Sequence, residues 1–269
     1  MNDLYSTELS SPTRKTPKTL LIYAPQKAGK STVMAGLTKE FAGEAKILCN
    51  EISGYDALES NVYYTLTLKS FMDSLKQLRD DPGPFKYVVI DGLTKLNEWA
   101  FTKGTLNYMN TIQGKKWNSV VDAAGNIIKR FNPNSPEWND VTESGQNGWR
   151  WQREVMLDIM DNYILNFLPH VTIILVGHVK DKVTSGEVGS VIDKRQVDLT
   201  GKLADLFLGR IDATAVLQRD QNKGYLSFDY NESEFNSGSR YDYLTGRILI
   251  SQKEEQSIKT FWKQNIFKF

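Results

Sequence analysis

The sequence has little from which to build a covalent or metal framework. It holds a single cysteine, Cys49, and two histidines, His170 and His178. One cysteine allows no internal disulfide, which fits a reducing, cytoplasmic setting. Cys49 sits in an apolar run and reads as a small buried hydrophobe. Two histidines and one cysteine fall short of a typical zinc site. The Gly-x-Ser-x-Gly turn of an elbow-type serine hydrolase is missing. No apolar run approaches the ~20 residues of a membrane span, so no membrane partner is expected. The formal net charge is only +1, so any contact with nucleic acid must come from local patches. Residues 1–18 lack the apolar core of a secretory signal and read as a flexible arm. There is no internal repeat.

What is present is ordinary for a globular α/β chain: 269 residues, 40% hydrophobic and 24% charged, a size that suits one domain with insertions. Residues 19–269 read as that domain. Apolar runs at Thr19–Tyr23, Lys46–Cys49, Tyr87–Ile90 and Val171–Val176 read as strands, and helical stretches separate them. Continuous apolar strands alternating with helices imply a mostly parallel sheet covered on both faces. Residues 102–148 are rich in Asn, Gly, Ser and Trp without clear periodicity and read as an insertion. Ala213–Leu217, Tyr225–Tyr230 and Arg247–Ile250 read as further strands, with a hairpin turn at Asn222–Gly224. Lys180–Val197 is polar, contains Gly186 and Gly189, and reads as a mobile loop.

Chemistry concentrates after the first strand. Ala24-Pro25-Gln26-Lys27-Ala28-Gly29-Lys30-Ser31 fits the phosphate-loop (Walker A) pattern except that Ala24 stands where Gly is usual; Thr32 follows. An [AG]-x4-GK[ST] match arises by chance in only about 2% of chains this long, and here a strand precedes it and a helix follows. The physics requires these residue types. Backbone N–H groups surround phosphates, Lys30 brings positive charge to the β- and γ-phosphates, Ser31 Oγ ligates Mg²⁺, and Gly29 admits close approach of the backbone. The cofactors expected are ATP and Mg²⁺.

Tyr87-Val-Val-Ile-Asp91 is an apolar strand ending in a carboxylate, the Walker B pattern, and Asp91 beside the loop would hold the Mg²⁺ shell. Glu51 follows the second strand and is placed to take a proton from an attacking water. A surface Glu or a strand-capping Asp is the bland alternative for each. His178 ends the fourth strand, at the sheet edge where ligands sit in such folds, and is a candidate γ-phosphate sensor or a structural histidine.

This order of motifs resembles the RecA-like ATPase core, and most of all the short phage nucleotide-binding proteins associated with single-strand annealing and recombination. The likeness covers about 19–101 and 149–250. It implies that Glu51 activates water, that His178 senses nucleotide, and that the segment after it, with Lys180, Lys182, Lys194 and Arg195, binds single-stranded DNA. It also implies a homo-oligomer, ring or filament, in which a cation from the neighbouring subunit completes the site; Arg240, Arg247 and Lys253 are the candidates. The bland reading of all these basic residues is solvated surface charge. Competing classes are an AAA+-type helicase loader, which predicts a small helical domain after the core, a small-molecule kinase, which predicts an arginine-rich lid, and a nucleotide-gated scaffold with little turnover. Trp117, Trp138, Trp149 and Trp151 could stack on bases but more often fill cores.

Overall fold

The structure, a computed structural model, describes residues 14–52, 54–112, 114, 120–121, 123–124, 127–129, 146–166, 168, 170–186, 189–229, 236–255 and 257–268; for 120–121, 127–129, 146–149, 181–186 and 189–194 it describes the backbone. Residues 1–13 of the expected arm, most of the expected insertion, and the side chains of Trp117, Trp138 and Trp149 lie outside this set.

β1 (Thr19–Ala24) is buried along its whole length because it runs at the centre of a sheet, parallel to β7 (Thr172–Gly186) on one side and to β9 (Ala213–Asp220) on the other. Beyond β7 the parallel set continues through β4 (Tyr87–Asp91) and β2 (Ala45–Cys49) to a short edge strand β3 (Val62–Tyr64). Beyond β9 the direction alternates: β10 (Lys223–Ser227), β12 (Arg247–Lys253) and β13 (Ile258–Thr260) add antiparallel. A parallel sheet with antiparallel strands on its C-terminal side is the expected architecture, in an eleven-stranded sheet.

Alternation along the central strands explains how one apolar run serves two cores. Leu21, Tyr23, Leu48, Val88, Ile90, Ile173 and Leu175 belong to one buried cluster, while Leu20, Ile22, Ile47, Val89, Ile174 and Val176 belong to the other. The first is covered by α2 (Leu68–Asp80), α3 (Leu93–Met109), α4 (Gln146–Asp158) with its π-helical extension Ile159–Leu165, and α5 (Leu203–Leu208). The second is covered by α1 (Lys30–Glu40) and the C-terminal turn Trp262–Ile266. That turn is clamped to α1. The Glu40 carboxylate accepts from the backbone N–H of Trp262 (2.9 Å) and Lys263 (3.0 Å), and the fully buried Trp262 indole donates to Val33 O at 2.9 Å. Trp262, Ile266 and Phe267 of this segment are therefore core.

Several local expectations change. α3 runs to Met109, past the Phe101 where the periodicity breaks off, because Ala100, Thr105, Tyr108 and Met109 are buried. The hairpin turn between β9 and β10 is Gln221–Asn222, with Gln221 at φ 48°; Gly224 lies within β10 against Ser251. Lys180–Val197 is not an irregular loop. β7 extends past the sheet and pairs antiparallel with β8 (Gly189–Val197), with Lys180 opposite Gln196, Asp181 opposite Arg195, Lys182 opposite Lys194 and Gly186 opposite Gly189. The β-branched pairs Val183–Thr184 and Val191–Ile192, flanking the glycines, are the signal for this hairpin.

Candidate functional site

The C-terminal ends of four adjacent parallel strands form one edge. Across it the register aligns Ala24 with His178, Asp91 with Val176, and Cys49 with Asp91. The phosphate-loop strand and the Asp91 strand are thus separated by the strand that carries His178, and the Glu51 strand lies one step further.

Pro25–Gly29 forms the loop, and α1 starts at Lys30 with Gly29 as its N-cap at φ 94°; no side chain caps the helix and no acidic residue stands in its first turn. The first N–H groups of α1 and the positive end of its dipole are therefore free for an anion. Gly29 is needed for its conformation. A Cβ there would meet no protein atom within 4 Å, but φ 94° is costly for any other residue. Lys27 also adopts positive φ (61°) and is exposed, whereas Ala24 is ordinary buried strand and tolerates its methyl group.

Lys30 is nearly buried, at 9% exposure. Its Nζ donates to the carbonyls of Ala24 (3.2 Å) and Pro25 (3.1 Å) and lies 3.2 Å from His178 Nδ1. Burial pushes its pKa down, and Asp91 and Glu51 push it back up. His178 Nε2 is 3.5 Å from Glu51 Oε1. An ammonium donor at Nδ1 leaves the imidazole proton on Nε2, facing Glu51. The contact with His178 holds the Glu51 carboxyl below its usual range, partial burial opposes this, and the charges of Lys30 and Lys95 add to the lowering.

Asp91, partly buried, is pushed up by desolvation, and a hydrogen bond from the Tyr55 hydroxyl opposes that shift. Tyr55 is 2% exposed. Its phenol is raised well above the usual range by burial and then by the Asp91 charge. Nothing in the motif pattern pointed to Tyr55, which stands in a polar Ser-Gly-Tyr-Asp stretch. Asn50 was also passed over. It is buried, accepts from Thr65 Oγ1 at 2.7 Å and bonds the Asp91 carbonyl through its N–H at 2.8 Å. Gly92, at φ 106°, packs so closely that a Cβ would lie 2.9 Å from Asn50 Cβ. This contact anchors the segment that presents Glu51.

A hydroxyl and a carboxylate suit a hard cation such as Mg²⁺, which takes few protein ligands and completes its shell with phosphate and water oxygens. Among the described residues no group of three or more His, Cys, Asp and Glu gathers to hold a metal alone. Asp91 bonds Tyr55, and the neighbouring Gly54 approaches Ser31, so the residues present fit Mg²⁺ held jointly with a nucleotide.

The remaining candidates fall elsewhere. Lys180 pairs with Asp198 at 3.6 Å, Arg195 is exposed, and the side chains of Lys182 and Lys194 lie outside the described set. Arg240 is engaged within its own chain, to Asp212 Oδ1 at 3.3 Å and Gly209 O at 3.0 Å, near the opposite end of β9. Arg247 lies over the Tyr225 ring at 4.5 Å. Lys253 lines a crevice of its own chain with Gly29, Thr32 and Arg219. Cys49 is buried, which pushes its thiol up to about 12.

The uncapped glycine loop, its buried lysine and the carboxylates across the sheet edge define a P-loop fold. The chain belongs to the AAA domain family, whose model matches residues 16–256. No protein of curated function matches. Among solved structures, the crystal structure of the RadB recombinase is similar, at 12% identity, 91% coverage of each chain and a TM-score of 0.40. At that distance the likeness is one of outline, and the fold stands on its own strand order. Among the described residues the chain after β9 is strands and one five-residue π-helical turn, with no small helical domain.

Proposed function

We propose that this chain binds ATP with Mg²⁺ and hydrolyses it. The observation that carries this reading is the convergence of Lys30, Ser31, Asp91, Glu51 and His178 at one sheet edge beside an uncapped helix N-terminus. Lys30 and the α1 N–H groups bind the phosphates. Ser31 and Asp91 would hold Mg²⁺, which would offset charge on the phosphate oxygens. Glu51, with its carboxylate 3.5 Å from His178 Nε2, accepts a proton from the attacking water. His178, in contact with both Lys30 and Glu51, is placed to sense the γ-phosphate.

We further propose that the ATPase acts on single-stranded DNA in recombination or annealing, through the β7–β8 hairpin. The hairpin continues the strand that carries His178, so a ligand on one biases the other, and the coupling must be reciprocal. Neutralising Lys180, Lys182, Lys194 and Arg195 together is expected to weaken single-strand binding while basal ATPase stays intact. Each lost phosphate contact lowers the salt slope by about 0.7, so four would flatten it by about 3. An unchanged slope and affinity in a salt titration would exclude the hairpin.

Assembly into a homo-oligomer completes the proposal, with Arg240, Arg247 or Lys253 as candidate trans-acting cations. Light scattering with ATP and DNA present is expected to give a mass of several subunits. A strict monomer hydrolysing at full rate contradicts it. ATPase rates with no DNA, single strands and duplex distinguish this reading from a nucleotide-gated scaffold, for which no condition raises turnover. The strands after β9 support the recombination reading over a helicase loader of AAA+ type.

A further inference from the structure

The Tyr55 hydroxyl bonds one of the two groups that the proposed function assigns to the metal: it donates to Asp91 Oδ2. The neighbouring Gly54 lies over the other, Ser31, since a Cβ on it would come within 3.4 Å of Ser31 Oγ. The ring is 2% exposed and belongs to the core cluster with Ala24, Cys49 and Val33, so its position is fixed by packing.

A carboxylate that ligates a cation with one oxygen needs its other oxygen oriented. The Tyr55 phenol meets that need, because its hydrogen goes to Asp91 Oδ2. Partners of this kind orient metal ligands, and their loss typically costs about 10–100-fold in metal affinity. Tyrosine fits the place better than serine or threonine: its length reaches from the core to the sheet edge.

We propose that Tyr55 is a positioning residue for the divalent cation, a relay from the packed core to the Asp91 carboxylate. The proposal rests on the reading that Ser31 and Asp91 hold Mg²⁺. It concerns Mg²⁺ and leaves phosphate binding by Lys30 and the α1 N-terminus untouched. Tyr55→Phe keeps the ring and removes only the relay.

ATP binding followed by calorimetry, from EDTA through a series of MgCl₂ concentrations, tests this without relying on turnover. Tyr55→Phe is expected to bind ATP in EDTA as the wild type does and to need about 10–100-fold more Mg²⁺ to reach the tight state. In an Asp91→Asn background the same change is expected to add little, because the relay then has no carboxylate to orient. An unchanged Mg²⁺ midpoint, or full additivity with Asp91→Asn, overturns the role of Tyr55. So does an equal loss of affinity in EDTA, which marks a purely structural residue. Should Tyr55→Phe fail to fold, ¹³Cζ-tyrosine spectra of the wild type decide. The Tyr55 signal is expected to shift over the Mg²⁺ range that tightens ATP, and a signal that stays put refutes the relay. A wild type whose ATP binding ignores Mg²⁺ altogether overturns the proposed function itself, a different result from a Tyr55 variant that behaves as wild type.

Discussion

Replacing Lys30 by alanine is expected to abolish ATP turnover, lowering the rate by on the order of a thousandfold or more, the scale seen when a cation is removed from a phosphoryl-transfer site. A thousandfold corresponds to about 4 kcal/mol of barrier. The size of the effect follows from where the lysine sits. It is nearly buried, its ammonium is held at the loop by the Ala24 and Pro25 carbonyls, and it faces Asp91, Glu51 and His178. Alanine removes the charge and also the donor that assigns the His178 tautomer, so both the phosphates and the Glu51–His178 contact lose their reference point. Phosphate release checks the result, with a thermal melt to show that the variant is folded. Wild-type hydrolysis by Lys30→Ala would remove the basis of the whole account.

Glu51→Gln is expected to separate binding from chemistry. The amide keeps the size and a hydrogen-bonding oxygen for His178 Nε2, but it cannot take a proton. ATP affinity should therefore stay near the wild-type value while turnover falls by about 10²–10⁴. The Glu51 carboxyl is held below its ordinary range, first by the contact with His178, so it is in the base form at neutral pH. A Gln variant that loses less than about tenfold, a barrier change of roughly 1.4 kcal/mol, means that water is activated elsewhere.

The parts of this site that were legible in the sequence are those encoded by contiguous residues. A loop such as Ala24–Ser31 carries its chemistry in its own backbone and spacing, and an apolar strand ending in Asp91 announces a sheet edge. The parallel sheet followed from continuous apolar strands, and the antiparallel C-terminal strands from their turns. Juxtapositions that depend on strand order were not legible as contacts. Glu51 and His178 were each read as lying past a strand end, but their 3.5 Å approach depends on how β2, β4 and β7 lie side by side.

Tyr55 was invisible for a related reason. Its role comes from a ring buried in the core and a hydroxyl reaching Asp91, two features that a polar, glycine-containing stretch does not display. The β7–β8 segment reads as a loop in sequence because its charged residues and glycines outweigh the β-branched pairs that carry the pairing. Arg240 looked like free surface charge because its partner, Asp212, lies in a distant segment.

The central claim is that the Lys30 site turns over ATP in a Mg²⁺-dependent way. Phosphate release from ATP by wild type and Lys30→Ala, measured side by side in Mg²⁺ and in EDTA, tests it most directly. The account predicts release by the wild type in Mg²⁺ alone and background rates in the other three conditions. Equal release by the two proteins, or wild-type release that persists in EDTA, would contradict it.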